Sequence, residues 1–453
     1  MKEITFFNRF HLLFAALTAL TLIHSSYPQS WSSLGTGTNG TVYAMVVYNG
    51  ELIAAGNFPI AGSQLVNNIA RWNGSSWQPI GLGTNGEVLS LAVFSNLLFA
   101  GGRFTTAGGI SASRIAVWNG TSWAPLGTGL NSDVYSLTQY GSFLAAGGAF
   151  TIAGGTPASR IATWSGTSWS PLGSGTNHIV YTIATFNGQL YAGGLFTGAG
   201  TVTARKIAVW LGSNWAPVGA GMDDGEVHAL RVYGSTLVVG GSFTKIGGST
   251  VNRIARWNGA SWSTMGLGFN LSVYSLFPIG GSLYAGGVFD MANQQPSSRV
   301  AVWNGSTWGP LGLGITGTGS AVRALMGYTS SLIAGGDFYV AGGLPVNNIA
   351  GWGSLIGIIK TGNSVPETFS LLQNYPNPFN PVTNIEFRIK DFGFVSLKIY
   401  NITGKEVETL VNENLHPGTY KVSWDASYYS SGVYYYVMRA GEFKDTKKMI
   451  VLK

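Results

Sequence analysis

Tryptophan recurs along this chain like the marks of a ruler, and the spacing restricts what the chain can fold into. One series stands at Trp31, Trp77, Trp123, Trp169, Trp215, Trp262 and Trp308, a second at Trp72, Trp118, Trp164, Trp210, Trp257, Trp303 and Trp352. Steps of 46 or 47 residues dominate both series, inside the range of about 40–50 residues typical of propeller blades. Each unit contains four short strand-like runs, as at 134–140 (VYSLTQY), 143–150 (FLAAGGAF), 160–166 (RIATWSG) and 168–173 (SWSPLG), with Gly, Asn and Ser at the breaks. No 3.6-residue apolar period is present, which excludes a helical solenoid. The expectation is an all-β chain whose long middle, 30–352, is a seven-bladed β-propeller with four-stranded blades. The series opens on an outer-strand motif at Trp31 and closes with three strands near 322–352, so residues 31–34 are expected to complete the last blade.

The invariant parts of the unit have structural explanations. Paired tryptophans remove ~150–250 Å² of aromatic surface each from water and suit packing between blades. The Gly-Gly pairs suit close backbone approach or a positive φ. Asn-Gly at 73–74, 119–120, 258–259 and 304–305 is a two-residue hairpin signal between the third and fourth strands. Basic residues Arg114, Arg160, Lys206, Arg253 and Arg299, four positions before a Trp, are expected to cap or stack on their own blades.

Function is more legible where the copying relaxes. From the valine opening each inner strand (Val42, Val88, Val134, Val180, Val227, Val273, Val322) to the first Trp is always 30 residues. From the second Trp to that valine is 11 residues in five units, 12 before Val227 and 14 before Val322. The variable loop and the long loop between the second and third strands emerge on one face of a meandering blade, and loops on rigid scaffolds carry function. Asn39, Asn85, Asn131, Asn177, Asp223 or Asp224, and Asn270 stand at comparable places in the variable loop. They serve either as turn residues that bond their own backbone or as a ring of amides and carboxylates facing a sugar or cation. Glu226 completes the acidic cluster MDDGEVH (222–228). One position after the valine come Tyr43, Leu89, Tyr135, Tyr181, His228, Tyr274 and Arg323, so His228 and Arg323 break an aromatic pattern after the two lengthened loops. A His or Tyr base beside a charge-neutralising Arg suits β-elimination on a uronate polymer. His228, Arg323, Tyr181 and Tyr274 are the residues such a lyase would use; otherwise the face is a binding surface.

The order of a strand ending in GG, a strand ending in Trp and a Trp opening the next strand resembles Kelch-type propellers. Residues 68–91 (NIARWNGSSWQPIGLGTNGEVLSL) also resemble the repeats of fungal cell-polarity cortical marker proteins. These resemblances imply fold rather than activity. Copper-radical oxidases of the galactose oxidase type share a Kelch-like fold but need a Cys–Tyr crosslink, and this chain has no Cys. Beyond the N-terminal stretch the histidines are His178, His228 and His416, too few for a multi-His metal site. Neither cofactor nor metal is expected. A net charge of +7 without a polybasic run gives no case for nucleic acid.

The two ends read differently from the middle. Lys2 and Arg9 precede the apolar run 12–23 (LLFAALTALTLI), the order of a secretory signal peptide over 1–29, too short to span a bilayer comfortably. No transmembrane segment is expected in the mature chain, and the absence of Cys means that an exported fold must hold without disulfides. Residues 353–370 read as linker. Beyond them, alternating apolar residues broken by Asn-Pro, Thr-Gly and Pro-Gly predict a small Ig-like β-sandwich over 371–453. Residues 360–453 carry 11 of the 25 Lys/Arg and 9 of the 18 Asp/Glu. In order the sandwich segment contains YPNPFNP (Pro376, Asn377, Pro378), IYNITGKEV (Gly404, Lys405), GTYKVSWDAS (Gly418), SGVYYYVM (Gly432) and a Lys-rich end (Lys447, Lys448, Lys453). This series resembles the type A C-terminal sorting domain of the bacterial type IX secretion system. The resemblance implies passage through the periplasm, docking on the outer-membrane translocon as partner, and a destination at the cell surface or outside it. The function expected is therefore a secreted or cell-surface binding or adhesion protein whose propeller face contacts a glycan or protein.

Overall fold

The structure, a computed structural model, describes residues 30–279, 281–329, 331–353, 359–362, 365–415, 417–426 and 429–452. The expected signal peptide, part of the linker, His416 and Lys453 lie outside the described residues. Among the described residues, 31–352 form seven four-stranded antiparallel sheets. The first blade is Thr41–Tyr48, Glu51–Asn57, Ile69–Trp72 and Trp77–Pro79, in that spatial order. The innermost strands are Thr41–Tyr48, Val88–Phe94, Val134–Tyr140, Val180–Phe186, Val227–Tyr233, Val273–Ile279 and Ala321–Tyr328. Each touches the next, and the last touches the first. The sheets therefore form the closed ring of a seven-bladed propeller.

Closure uses the device expected from the sequence. Trp31–Ser33 pairs antiparallel with Ile349–Trp352, Trp31 opposite Trp352, and becomes the outer strand of the seventh blade. Asn347 and Asn348 donate their side-chain amides to the carbonyls of Thr36 and Thr38, each at 2.8 Å. A covered edge replaces what would otherwise be a row of unpaired backbone groups.

Two residue types fasten blade to blade. The Nε1 of the Trp opening each outer strand donates to a backbone carbonyl of the preceding blade: Trp77 to Leu34 at 2.9 Å, Trp123 to Ile80 at 3.0 Å, Trp215 to Leu172 at 2.8 Å. The series ends with Trp31 donating to Leu311, which carries the pattern through the closure. Second are the phenylalanines Phe58, Phe104, Phe150, Phe196, Phe243, Phe289 and Phe338, all essentially removed from solvent. Full burial of such a side chain contributes about 1.5–3 kcal/mol.

Two local readings need correction. The loop between the second and third strands is itself structured, as a miniature hairpin such as Thr106–Ala107 with Ile110–Ser111. It bridges to the variable loop through Thr84 and Ala107, so both loops lie on one face. The Asn-Gly turns are offset by one residue. Gly74 has φ 97° while Asn73 stays outside the left-handed region, and Asn73 Oδ1 accepts from the N–H groups of Ser75 and Ser76. Asn therefore acts through its side chain and Gly supplies the positive φ.

The tail is a sandwich of two four-stranded antiparallel sheets. One holds Ile359–Gly362, Gly418–Asp425, Val382–Ile389 and Ser370–Leu371; the other holds Glu406–Leu415, Gly393–Asn401, Gly432–Ala440 and Phe443–Val451. Ile385, Phe387 and Trp424 of the first sheet pack with Leu397, Tyr436, Met438 and Met449 of the second in one core. Ile359–Gly362 and Ser370, the first residue of the strand Ser370–Leu371, fall inside the span expected to be linker, yet both strands are hydrogen-bonded into the sandwich.

Candidate functional site

Every inner strand contains a β-bulge at the same place. Register shifts fall between Val42 and Ala44, Val134 and Ser136, Val180 and Thr182, Val227 and Ala229, Val273 and Ser275, and Val322 and Ala324, with the same shift between Val88 and Ser90. The extra residue in each is one of Tyr43, Leu89, Tyr135, Tyr181, His228, Tyr274 and Arg323. A bulge leaves its residue out of the ladder and re-aims the side chain, so the position singled out by the broken pattern is the one the backbone frees from pairing. The Gly-Gly pair on the neighbouring strand makes room. A Cβ on Gly148 would lie 2.1 Å from the carbonyl oxygen of Asp133, beside the bulge, and one on Gly147 would lie 2.7 Å from Val180 of the next blade.

The freed side chains meet in an arc around the propeller axis. Ring centroids are 5.5 Å apart for Tyr135 and Tyr181, 5.5 Å for Tyr181 and His228, and 5.2 Å for His228 and Tyr274. The Arg323 guanidinium carbon lies 5.6 Å from the centroids of both Tyr274 and Tyr43. The remaining stretch is polar. Arg103 donates to Glu87 and Asp133, both at 2.8 Å, and Asn57 donates to Glu87 at 3.0 Å. Arg103 also reaches the Tyr135 hydroxyl at 3.4 Å, which joins the polar stretch to the arc. Sequence reasoning missed Arg103. Its signal was available, since it follows a Gly-Gly pair where other blades place Ala149, Leu195 or Val288.

Burial shifts two groups of the arc. Burial pushes the His228 imidazole down to about 4, so it is neutral, with Glu226 Oε2 3.7 Å from Nε2. Burial first, then the charge of Glu226, raises the Tyr181 phenol above its ordinary value and keeps it protonated. Among the described residues no group of three or more His, Cys, Asp or Glu side chains converges as a metal site needs.

The variable-loop residues have their polar atoms engaged. Asn131 Oδ1 accepts from the N–H groups of Thr151 and Ile152 and its Nδ2 donates to Thr151 Oγ1. Asn85 and Asn177 repeat this pattern with Thr105 and Thr197. Asn39 accepts from Ile60, and Asn270 bonds Asp290 and Met291. Asp224 takes the asparagine's part against Thr244 and Lys245, while Asp223 pairs with Arg205 at 3.0 Å. Each clamps the variable loop to the miniature hairpin of its blade. Asn177 also lines a polar groove of about 500 Å³ with Arg160, Thr176 and Thr203. The recurrent basic residues are in the left-handed region, Arg114 and Arg160 at φ 67° and Lys206 at φ 64°. Arg114 and Lys206 cap carbonyls of Arg103 and Leu195 in their own blades, whereas Arg253 and Arg299 reach Phe269 and Ser320 across the joint with the next.

In the sandwich, the YPNPFNP motif ties the first strands to the last. Asn377 Oδ1 accepts from Ile450 N–H at 2.9 Å, and Phe379 is buried against Trp424. Pro376 and Pro378 are exposed. Asn401 accepts from the N–H of Lys405 across a turn in which Gly404 has φ 76°. Gly418 and Gly432 are close to extended, at φ 158° and 157°. Lys447 pairs with Asp445 at 3.4 Å, and Lys448 is exposed on the last strand.

Comparison with known proteins agrees with this division. Residues 373–452 match the family described as secretion system C-terminal sorting domain, and residues 236–259, within the fifth blade, match the family described as domain of unknown function (DUF5122) beta-propeller. A search of curated proteins finds no match. Among solved structures, PorZ, a bacterial surface component of the type IX secretion system of Porphyromonas gingivalis, is similar at 13% identity over 91% of this chain and 70% of that one, with a TM-score of 0.39. A fungal alcohol oxidase of the AA5 family, in complex with copper, is similar at 13% identity over 93% of this chain and 98% of that one, also at 0.39. Likeness this loose carries no chemistry across. The chain is a β-propeller protein carrying the C-terminal sorting domain of the type IX secretion system, destined for the bacterial surface or the medium beyond it.

Proposed function

We propose that this protein is a Kelch-like, seven-bladed propeller that binds a glycan or protein ligand at the mouth of its central channel once the sorting domain has taken it to the cell exterior. The observation that carries the reading is the arc of bulge-borne side chains, Tyr135, Tyr181, His228, Tyr274, Arg323 and Tyr43, in mutual contact. Tyrosine presents a large amphipathic surface with few rotors, and the rigid inner strands hold these rings in place, which lowers the ordering cost of binding.

A second reading, a polysaccharide lyase, draws on one contact set: Tyr274 touches both His228 and Arg323, so a neutral base and a cation flank one phenol. Against it, a base with a pKa near 4 is weak for abstracting a carbon-bound proton. Incubating the full chain with an array of polysaccharides, read for retention and for new unsaturated ends in the near ultraviolet, separates the two. Retention without new ends, lost in Tyr181→Ala/Tyr274→Ala, is the expected result. New ends that vanish in His228→Ala would establish the enzyme instead. Silence in both channels would refer the site to a protein ligand.

A further inference from the structure

Arg323 is the one bulge residue with a permanent charge, at a position that is Tyr in four other blades. Its guanidinium lies between two phenol rings, Tyr43 and Tyr274, each at 5.6 Å. Among the described residues no carboxylate comes within 4 Å of it, and its Nε is buried without a hydrogen-bond partner. A half-buried cation with no counter-charge and an unpartnered buried Nε is costly, yet here the backbone bulge and two aromatic walls hold it in position. Glu87 and Asp133 share Arg103, and Glu226 lies beside His228. Arg323 thus sets an unpaired positive end where the sixth, seventh and first blades meet.

We propose that Arg323, walled by Tyr43 and Tyr274, is a receptor for the carboxylate of an acidic sugar unit, so that the ligand of this face is a uronate-bearing polysaccharide. The guanidinium fork fits a carboxylate edge, and the flanking rings offer apolar faces to the C–H side of a pyranose. His228, on the far side of Tyr274, adds a neutral polar group without a second charge. The assignment rests on the channel mouth being the binding site, as proposed above.

The test is a titration of the full chain with polygalacturonate oligosaccharides and with their fully methyl-esterified counterparts, repeated for Arg323→Gln and Arg323→Lys after thermal melts have verified folding. The expected result is an acid-over-ester preference of about tenfold, the scale of a charge-assisted hydrogen-bonded pair. Arg323→Gln abolishes the acid-over-ester preference, and Arg323→Lys keeps part of it. A wild-type chain that binds acid and ester equally, or a preference that survives Arg323→Gln, overturns the carboxylate assignment while leaving the channel mouth as a binding site. A chain that retains neither form, nor any neutral polysaccharide, removes the glycan-binding reading itself.

Discussion

At the residue scale, this protein departs from ordinary backbone preference in a repeated and interpretable way. The arginines and lysine before the third strands of five blades adopt the left-handed conformation, which costs an L-residue about 1–2 kcal/mol, and the carbonyl bonds made by Arg114, Lys206, Arg253 and Arg299 offset part of that. Glycine is needed for a different reason opposite each bulge. Gly148→Ala would place Cβ against the Asp133 carbonyl, so we expect a loss of about 3 kcal/mol in chemical denaturation; a loss near zero would mean that the bulge can relax. His228 makes stability pH-dependent. Its pKa falls from 6.5 to about 4 on folding, so the unfolded chain binds the proton more tightly between those values. The contribution of neutral His228 is full above pH 6.5 and is lost as pH falls towards 4, up to about 3 kcal/mol. His228→Tyr, the residue of other blades, should flatten the melting profile across that window; parallel profiles for variant and wild type would contradict this origin.

At the scale of elements, the strand order, the shared face of the two loops and the closing strand were legible from spacing alone, because each 46-residue step repeats one packing problem. What spacing could not show was contact between side chains. The asparagines Asn85, Asn131 and Asn177 look equally suited to a ligand and to their own loop, and only hydrogen-bond geometry shows their amides spent on the miniature hairpins. The bulge was likewise hidden: Tyr135 and Ser136 read as simple alternation, yet the partner strand skips Tyr135. His228 and Arg323 did stand out, since each replaces an aromatic in a register that the repeat fixes. Interblade fastening is testable at this scale. Trp215→Phe keeps the ring but leaves the buried Leu172 carbonyl without its 2.8 Å donor, which should cost about 1–3 kcal/mol, read as a lowered unfolding midpoint with an unchanged slope.

For the whole molecule, ring closure and the exposed channel mouth are one design: a ring that opened would lose the register that brings Arg323 to Tyr43. Trp31 links the ends through its pairing with Trp352 and its bond to Leu311, so Trp31→Ala should cost about 3–5 kcal/mol and deleting 31–36 more. An unchanged melting temperature after that deletion would contradict closure by this strand. The sandwich, with its own core, addresses the molecule; the proposed binding belongs to the propeller. The claim that binding occurs on the arc rather than on the loops is tested most directly by ligand affinity in Tyr274→Ala beside Asn131→Ala, measured on the same retained polysaccharide. The account predicts at least a tenfold loss (about 1.4 kcal/mol) for Tyr274→Ala and unchanged affinity with slightly lowered stability for Asn131→Ala. The reverse pattern would move the working site to the loops and contradict the account.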